Sequence, residues 1–243
     1  MTTQSLYPWQ EQTWQTLMKS LNSDRLPHAL LITGHDGLGK QALAEALVAR
    51  VFCKQVTGQQ LACGSCGNCQ LISAASHPDF VRLTVEEGKT RIAVQQVRDM
   101  IVHLGLKSYR GNEKVALVYP ADSMNASSAN SLLKTLEEPT DGTLLILVTA
   151  RPSRLPATIL SRCQVFDFRR ISVSDIAAHL MDIAEKEDIQ AEPAALHTIA
   201  QKADGGLRDA LSIFDQLVSF SGHRLTYQDV VKNLNVLDHE HYF

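Results

Sequence analysis

The stretch Gly34-His35-Asp36-Gly37-Leu38-Gly39-Lys40-Gln41, GHDGLGKQ, decides the reading of this chain. Its spacing, G-x-x-x-x-G-K, is that of a loop whose backbone N–H groups wrap phosphate oxygens. The apolar run Ala29–Thr33 (ALLIT) precedes it, and Lys40–Phe52 (KQALAEALVARVF), apolar at helical spacing, follows. Strand, glycine loop and helix thus occur in the order a phosphate loop requires. The helix N-terminus favours an anion, and Lys40 falls where a lysine reaches the β- and γ-phosphates. Gly34, Gly37, Gly39, Lys40 and Gln41 are the candidate nucleotide-contacting residues. The bland alternative is an ordinary strand-to-helix turn with a solvated lysine.

The last position breaks the pattern. A hydroxyl belongs there to ligate Mg²⁺, and Gln41 offers an amide instead. A second strand should end in an acidic residue that also holds the metal. The second apolar run, Lys114–Tyr119 (KVALVY), passes instead into Pro120, and Asp122 is expected to project beyond the strand end. Two magnesium contacts are therefore absent, along with the carboxylate that would orient water. The expectation is a phosphate-loop fold that does not hydrolyse ATP. Binding without hydrolysis stays open.

Further from the loop, apolar runs at Thr143–Thr149 and Val165–Phe168 read as buried strands, with Val94–Leu104 and Ala126–Leu136 as helices between strands. Glu138-Pro139 ends the latter, because the residue before proline resists helical geometry. Strands alternating with helices imply a parallel sheet covered on both faces. From Ser172 onward helices dominate, over Val173–Lys186, Pro193–Ala203, Leu207–Ser219 and Thr226–Leu234. The chain therefore divides into an α/β, nucleotide-binding-like domain over residues 1–170 and a small all-helical domain over 171–243.

The 243 residues carry a net charge of −3, a pI near 6.3 and 44% hydrophobic residues, the balance of a soluble globular protein. This charge gives no general attraction to nucleic acid. No apolar run is long enough to span a bilayer and the N-terminus has no signal pattern, so the cytoplasm is the expected location.

Four of the five cysteines crowd together as Cys53-x9-Cys63-x2-Cys66-x2-Cys69. Small residues fill the short gaps and permit tight turns, and four thiolates suit a closed tetrahedral Zn²⁺ site. An iron–sulfur cluster and plain reduced thiols are the alternatives. His77, beside Pro78, reads as a structural residue. Further on, Ser161-Arg162-Cys163 closes a short helical segment before the last strand. An arginine there is either a solvated charge or a cation offered to a neighbour's phosphate.

Together HALLITGHDGLGK, the four-cysteine insertion, NSLLKTLEEP (Asn130–Pro139) and LPATILSRC (Leu155–Cys163) resemble the bacterial clamp-loader subunits of DNA polymerase III, which are AAA+ proteins. The resemblance covers essentially the whole chain. It implies an AAA+ sheet with a zinc-binding insertion at 53–69, a helical lid, and partners among the gamma/tau and delta subunits, with the sliding clamp and primed DNA reached through the complex. No membrane partner is implied. Lys40-Gln41, Tyr119-Pro120 and the Tyr7-Pro8-Trp9 start are most similar to the delta-prime type, which has lost the hydrolytic groups. On that resemblance Arg162 is an arginine finger given to ATP on an adjacent subunit. Cys53, Cys63, Cys66 and Cys69 are the zinc ligands, and Thr149 stands at the sensor position. Gly205-Gly206-Leu207-Arg208 looks instead like the gamma/tau lid, whose arginine senses the γ-phosphate. A gamma/tau-like ATPase with divergent motifs is thus the alternative. The family's C-terminal collar domain is expected to be absent from 1–243.

Overall fold

A computed structural model describes residues 6–55, 60–111 and 113–240, and the side chains of these up to Leu234. The chain forms two compact units, residues 1–34 with 39–168, and residues 35–38 with 169–243.

The first unit begins with α1 (Glu11–Asn22), which buries Trp14, Leu17 and Met18. Next come β1 (Ala29–Gly34), α2 (Lys40–Phe52), α3 (Gly67–Ser73), β2 (Phe80–Leu83) and α4 (Val94–Gly105). After them run β3 (Lys114–Val118), α5 (Ala126–Glu137), β4 (Thr143–Val148), α6 (Ala157–Leu160) and β5 (Gln164–Phe168). The five strands make one sheet of order β2-β3-β4-β1-β5, with every pairing parallel.

Position in the sheet explains the strand sequences. Central β3 and β4 are buried along their whole length and β1 all but at Gly34, and all three are nearly continuous apolar runs. Edge strand β5 is mostly exposed and carries Gln164 and Asp167. One core face joins Leu31, Val118, Leu145 and Leu147 to Val97, Met100 and Leu104 of α4 and to Leu132 and Leu136 of α5. Asn125 caps α5 by accepting the Ser128 N–H at 2.8 Å. In open parallel sheets ligands bind beyond the carboxyl ends of the strands. The loop after β1 opens from that edge, with β4 and β5 on either side of β1.

The second unit contains α7 (Val173–Lys186), β6 (Gln190–Ala191), α8 (Pro193–Lys202), α9 (Leu207–Ser221), β7 (Arg224–Leu225) and α10 (Tyr227–Glu240). Ser172 caps α7 through the Asp175 N–H at 3.1 Å. Ile176, Leu180, Leu196, Ile199, Phe214 and Leu217 are buried. The expected all-helical composition needs one amendment: β6 and β7 form a two-residue parallel ladder, Gln190 with Arg224 and Ala191 with Leu225. A ladder this short is fixed by tertiary approach, and two residues carry no periodicity that a sequence pattern can register. Among the described residues no helix is long and apolar enough to cross a membrane.

Candidate functional site

The loop that opens the sequence joins β1 to α2 with its backbone tightly constrained. Gly39 has φ +74°, and a Cβ there would fall 2.7 Å from both the Tyr7 ring and Gln10 Nε2. Only glycine fits this left-handed, crowded position. Gln10 is buried and donates from Nε2 to the Gly39 carbonyl at 2.9 Å, tying the segment before α1 to the loop. Lys40 is buried at the first turn of α2. Inside the second unit, a Cβ on Gly37 would lie 3.0 Å from the Arg208 amide nitrogen, so Gly37 too is held to glycine. Arg208 itself is an exposed side chain in the first turn of α9.

The two positions that lack magnesium ligands are engaged in other contacts. Gln41 Nε2 donates to Glu45 Oε1 at 2.9 Å, and the same carboxylate oxygen pairs with Arg82 Nη2 at 3.2 Å. The amide is thus committed along the helix. At the end of β3, Tyr119 N–H bonds the Leu83 carbonyl, and the chain then turns through residues Ala121–Ser123.

As expected, Asp122 lies past the end of β3, in the turn Ala121–Ser123. There Asp122 Oδ1 accepts from the buried Thr149 hydroxyl at 2.6 Å, and Thr149 Oγ1 in turn accepts the Arg151 N–H at 2.9 Å. The pairing of Asp122 with Thr149 joins two segments far apart in the chain, and the linear sequence carries no signal for it.

Arg162 follows α6 and is built into a polar network. Its Nη1 donates to the Thr158 carbonyl at 3.0 Å and to Ser161 Oγ at 3.3 Å. Its Nη2 pairs with Glu137 Oε1, at the end of α5, at 2.7 Å. The Arg162 side chain remains about a third exposed, with 35% of its surface accessible. Burial raises the neighbouring Cys163 thiol to about 11, so it stays protonated and unreactive at neutral pH.

The four crowded cysteines come together. Their Sγ atoms all lie within 4.8 Å of one another, and Cys63 and Cys69 are 3.9 Å apart. A tetrahedron with metal–sulfur bonds of ~2.3 Å has sulfurs about 3.8 Å apart. The backbone favours thiolates here: the Cys63 N–H points at Cys53 Sγ (3.2 Å) and the Cys66 N–H at Cys63 Sγ (3.3 Å). Hydrogen bonds from the Ser65 and Cys66 backbones bring the Cys63 thiol down to about 6. The backbone N–H of Cys69 lowers Cys66, whereas burial raises Cys69. A cation supplies the compensation that a buried thiolate needs. These residues therefore form a site fit for one metal ion. Asn68 braces it by donating from Nδ2 to the Phe52 carbonyl at 2.8 Å. His77 lies outside the quartet, buried and packed against Phe52 with ring centroids 4.1 Å apart.

The family described as DNA polymerase III, delta subunit, matches residues 9–172, and the family of the clamp-loader ATPase lid domain matches residues 175–223. Among curated proteins, subunit tau of DNA polymerase III from Bacillus subtilis is 34% identical over 91% of this chain and 39% of its own length. The delta-prime subunit from Pseudomonas aeruginosa is 43% identical over 65% of this chain and 47% of its own. The chain thus spans less than half the length of each of these relatives. Among solved structures, the RuvB Holliday junction branch migration motor of Thermotoga maritima superposes with a TM-score of 0.62 at 18% identity, covering 96% of this chain and 70% of that one. This last likeness is one of fold alone.

Proposed function

The chain belongs to the family of DNA polymerase III clamp-loader subunits, and from that premise we propose that it is the delta-prime type, a non-hydrolysing partner in the assembly. In this reading ATP sits on a neighbouring gamma/tau subunit and Arg162 enters that site from outside. A planar cation that stays charged stabilises the charge developing on the transferred phosphoryl group. The complex, with its delta subunit, then places the sliding clamp on primed DNA during replication.

The observation that carries the reading is the fate of the magnesium positions. Gln41 is bonded to Glu45, and β3 runs into Tyr119-Pro120 with no carboxylate at its tip. Asp122, the nearest acid past that tip, accepts from Thr149. Arg162, by contrast, keeps about a third of its side chain exposed, on a short helical segment held by Glu137. The site's own hydrolytic parts are diverted while the group useful to a neighbour remains available.

Cys53, Cys63, Cys66 and Cys69 hold Zn²⁺ in this reading. Bound by four thiolates, the ion has no open position and its role is structural, fixing the segment between α2 and α3. The test of the whole proposal is the ATPase rate of the reconstituted loader containing Arg162→Ala. Loss of turnover at the adjoining site supports it, and an unchanged rate refutes it.

A second reading has its own support. The tau relative aligns over 91% of the chain, the delta-prime relative over 65%, and Arg208 falls within the stretch, residues 175–223, that matches the ATPase lid family. On that reading the chain binds Mg²⁺–ATP itself. Equilibrium binding of labelled ATP to the purified chain, with and without Mg²⁺, separates the two.

A further inference from the structure

Residues from three distant stretches of the sequence meet at one end of α5. His28 opens HALLITGHDGLGK, Glu137 lies in NSLLKTLEEP, and Arg162 lies in LPATILSRC. Neither the glycine loop nor the cysteine quartet makes use of His28 or Glu137.

His28 stands immediately before β1, and its carbonyl accepts the Leu145 N–H of β4 at 2.7 Å, so the sheet fixes its backbone. Its ring reaches across to α5, where Nε2 donates to the Leu136 carbonyl at 3.0 Å. Because α5 ends at Glu137, that carbonyl is one of those left without an intrahelical partner. The Leu136 side chain is buried in the core. The last turn of α5 is thus held by a side chain on one side and a carbonyl on the other, and Glu137 follows from that fixed point.

The Glu137 carboxylate then spans the gap to Arg162, with Oε1 at 2.7 Å from Nη2. Nη1 is held separately by the Thr158 carbonyl and Ser161 Oγ. A guanidinium has more N–H donors than these contacts use. Among the described residues Nε takes no partner, so Arg162 can be gripped and still offer a donor to a phosphate oxygen. The other charges nearby do not share the grip. Lys134 in the last turn of α5, Glu138 and Asp141 just after it, and Arg151 and Arg154 ahead of α6 are all exposed, and none of their side chains bonds Glu137 or Arg162. With 51% of the Glu137 side chain accessible, solvent screens the pair and its worth to folding is small. Its effect is geometric: a loose arginine samples many rotamers, and that freedom must be lost before the cation meets a reacting phosphate.

We propose that His28 and Glu137 are positioning residues for Arg162. His28 secures the last turn of α5, and Glu137, at the end of that turn, aims the guanidinium at a neighbour's triphosphate. The inference rests on the proposed role of Arg162 and adds the groups that set its direction.

The experiment uses the full chain in two ways. In the reconstituted loader, kcat and KM for ATP are measured with Glu137→Ala, Glu137→Gln, His28→Ala and His28→Gln, each alone and combined with Arg162→Ala. In the isolated chain, nitrogen NMR follows the Arg162 guanidinium, with thermal melts alongside. We expect kcat to fall about tenfold with Glu137→Ala and about threefold with His28→Ala, as misplacement of a catalytic group does. Glu137→Gln, which keeps an acceptor without the charge, should fall between Glu137→Ala and the parent, and His28→Gln should restore the rate because its amide donates to the same carbonyl. KM should hardly move, since the arginine acts on the transition state. Once Arg162 is alanine, neither residue should matter further. The Nη resonances of Arg162, distinct in the parent, should merge in Glu137→Ala while the melt stays where it was. Should His28→Ala melt early, its folded state at low temperature decides: merged resonances support the role, and distinct ones overturn it.

Parent kcat in Glu137→Ala overturns the proposal, as does a further loss in the Arg162→Ala background. So does a Glu137→Ala chain that melts early with turnover and guanidinium resonances unchanged. If Arg162→Ala lowers turnover and Glu137→Ala does not, the positioning pair falls and the arginine reading stands. If Arg162→Ala leaves turnover unchanged, that reading falls and the positioning role falls with it.

Discussion

Glu137 Oε1 and Arg162 Nη2 lie 2.7 Å apart, joining the end of α5 to the segment after α6. Both side chains are partly exposed, so solvent screens the pair and its worth to folding is about 0–1 kcal/mol. The contact therefore orients Arg162 and contributes little to stability. A triphosphate on a neighbour, carrying several negative charges, can displace a single carboxylate from the guanidinium.

Arg162→Lys follows from this geometry. Lysine keeps the charge but lacks the planar fork that bonds Thr158, Ser161 and Glu137 together. Turnover at the adjoining site of the reconstituted loader should fall by about 10³-fold for Lys as for Ala. The melting temperature of this chain should hardly move. A near-normal rate with lysine would show that charge alone suffices.

The cysteine quartet predicts a metal content. Purified chain should carry about one equivalent of zinc by elemental analysis, and Cys69→Ser should lower it. Chelation should expose the residues around Cys63 and Cys66 to protease first, because the four thiolates then lose the cation that holds them together. Metal-free chain with unchanged protease resistance would contradict a structural role.

Asp79 links burial to acid sensitivity. Burial opposes its charge, but the N–H groups of Tyr109 and Arg110 outweigh that and hold its carboxyl below the usual range. Because the folded value is depressed, the stabilisation is present above the unfolded value of about 4 and is lost as pH falls through the folded one. Asp79→Asn should cost about 1–3 kcal/mol in urea melts at pH 7, since an amide cannot accept both bonds. The difference from the parent should shrink with acidification below pH ~4. Burial likewise depresses His77, so its share of stability is lost as pH falls below its unfolded value of about 6.5.

Gly39→Ala tests the loop as architecture. The substitution forces φ +74° on an alanine and places its Cβ 2.7 Å from Tyr7 and Gln10. The expected cost is about 1–3 kcal/mol, read by thermal or urea unfolding. A neutral change would mean that the Tyr7–Gln10 segment is not seated on the loop.

The sequence made the sheet legible because burial and apolar runs coincide. Val115–Val118 and Leu144–Val148 are central and continuous, and the glycine loop marks where β1 stops. Cys53, Cys63, Cys66 and Cys69 were legible for a different reason, since short-range spacing fixes which sulfurs can meet. Contacts between distant segments were not legible. Nothing in the order of residues pairs Glu137 with Arg162, Gln10 with Gly39, or Asp79 with the Tyr109 turn. Each depends on how separate elements approach once packed. The bond between Asp122 and Thr149 is likewise unmarked, because the apolar pattern ends with the strand and leaves the next residues undetermined.

The most direct measurement is ATP turnover by the purified chain alone, with and without Mg²⁺. Gln41 bonded to Glu45, and a β3 tip that carries no carboxylate, predict no turnover above background under either condition. Sustained Mg²⁺-dependent hydrolysis that survives Arg162→Ala would contradict the account.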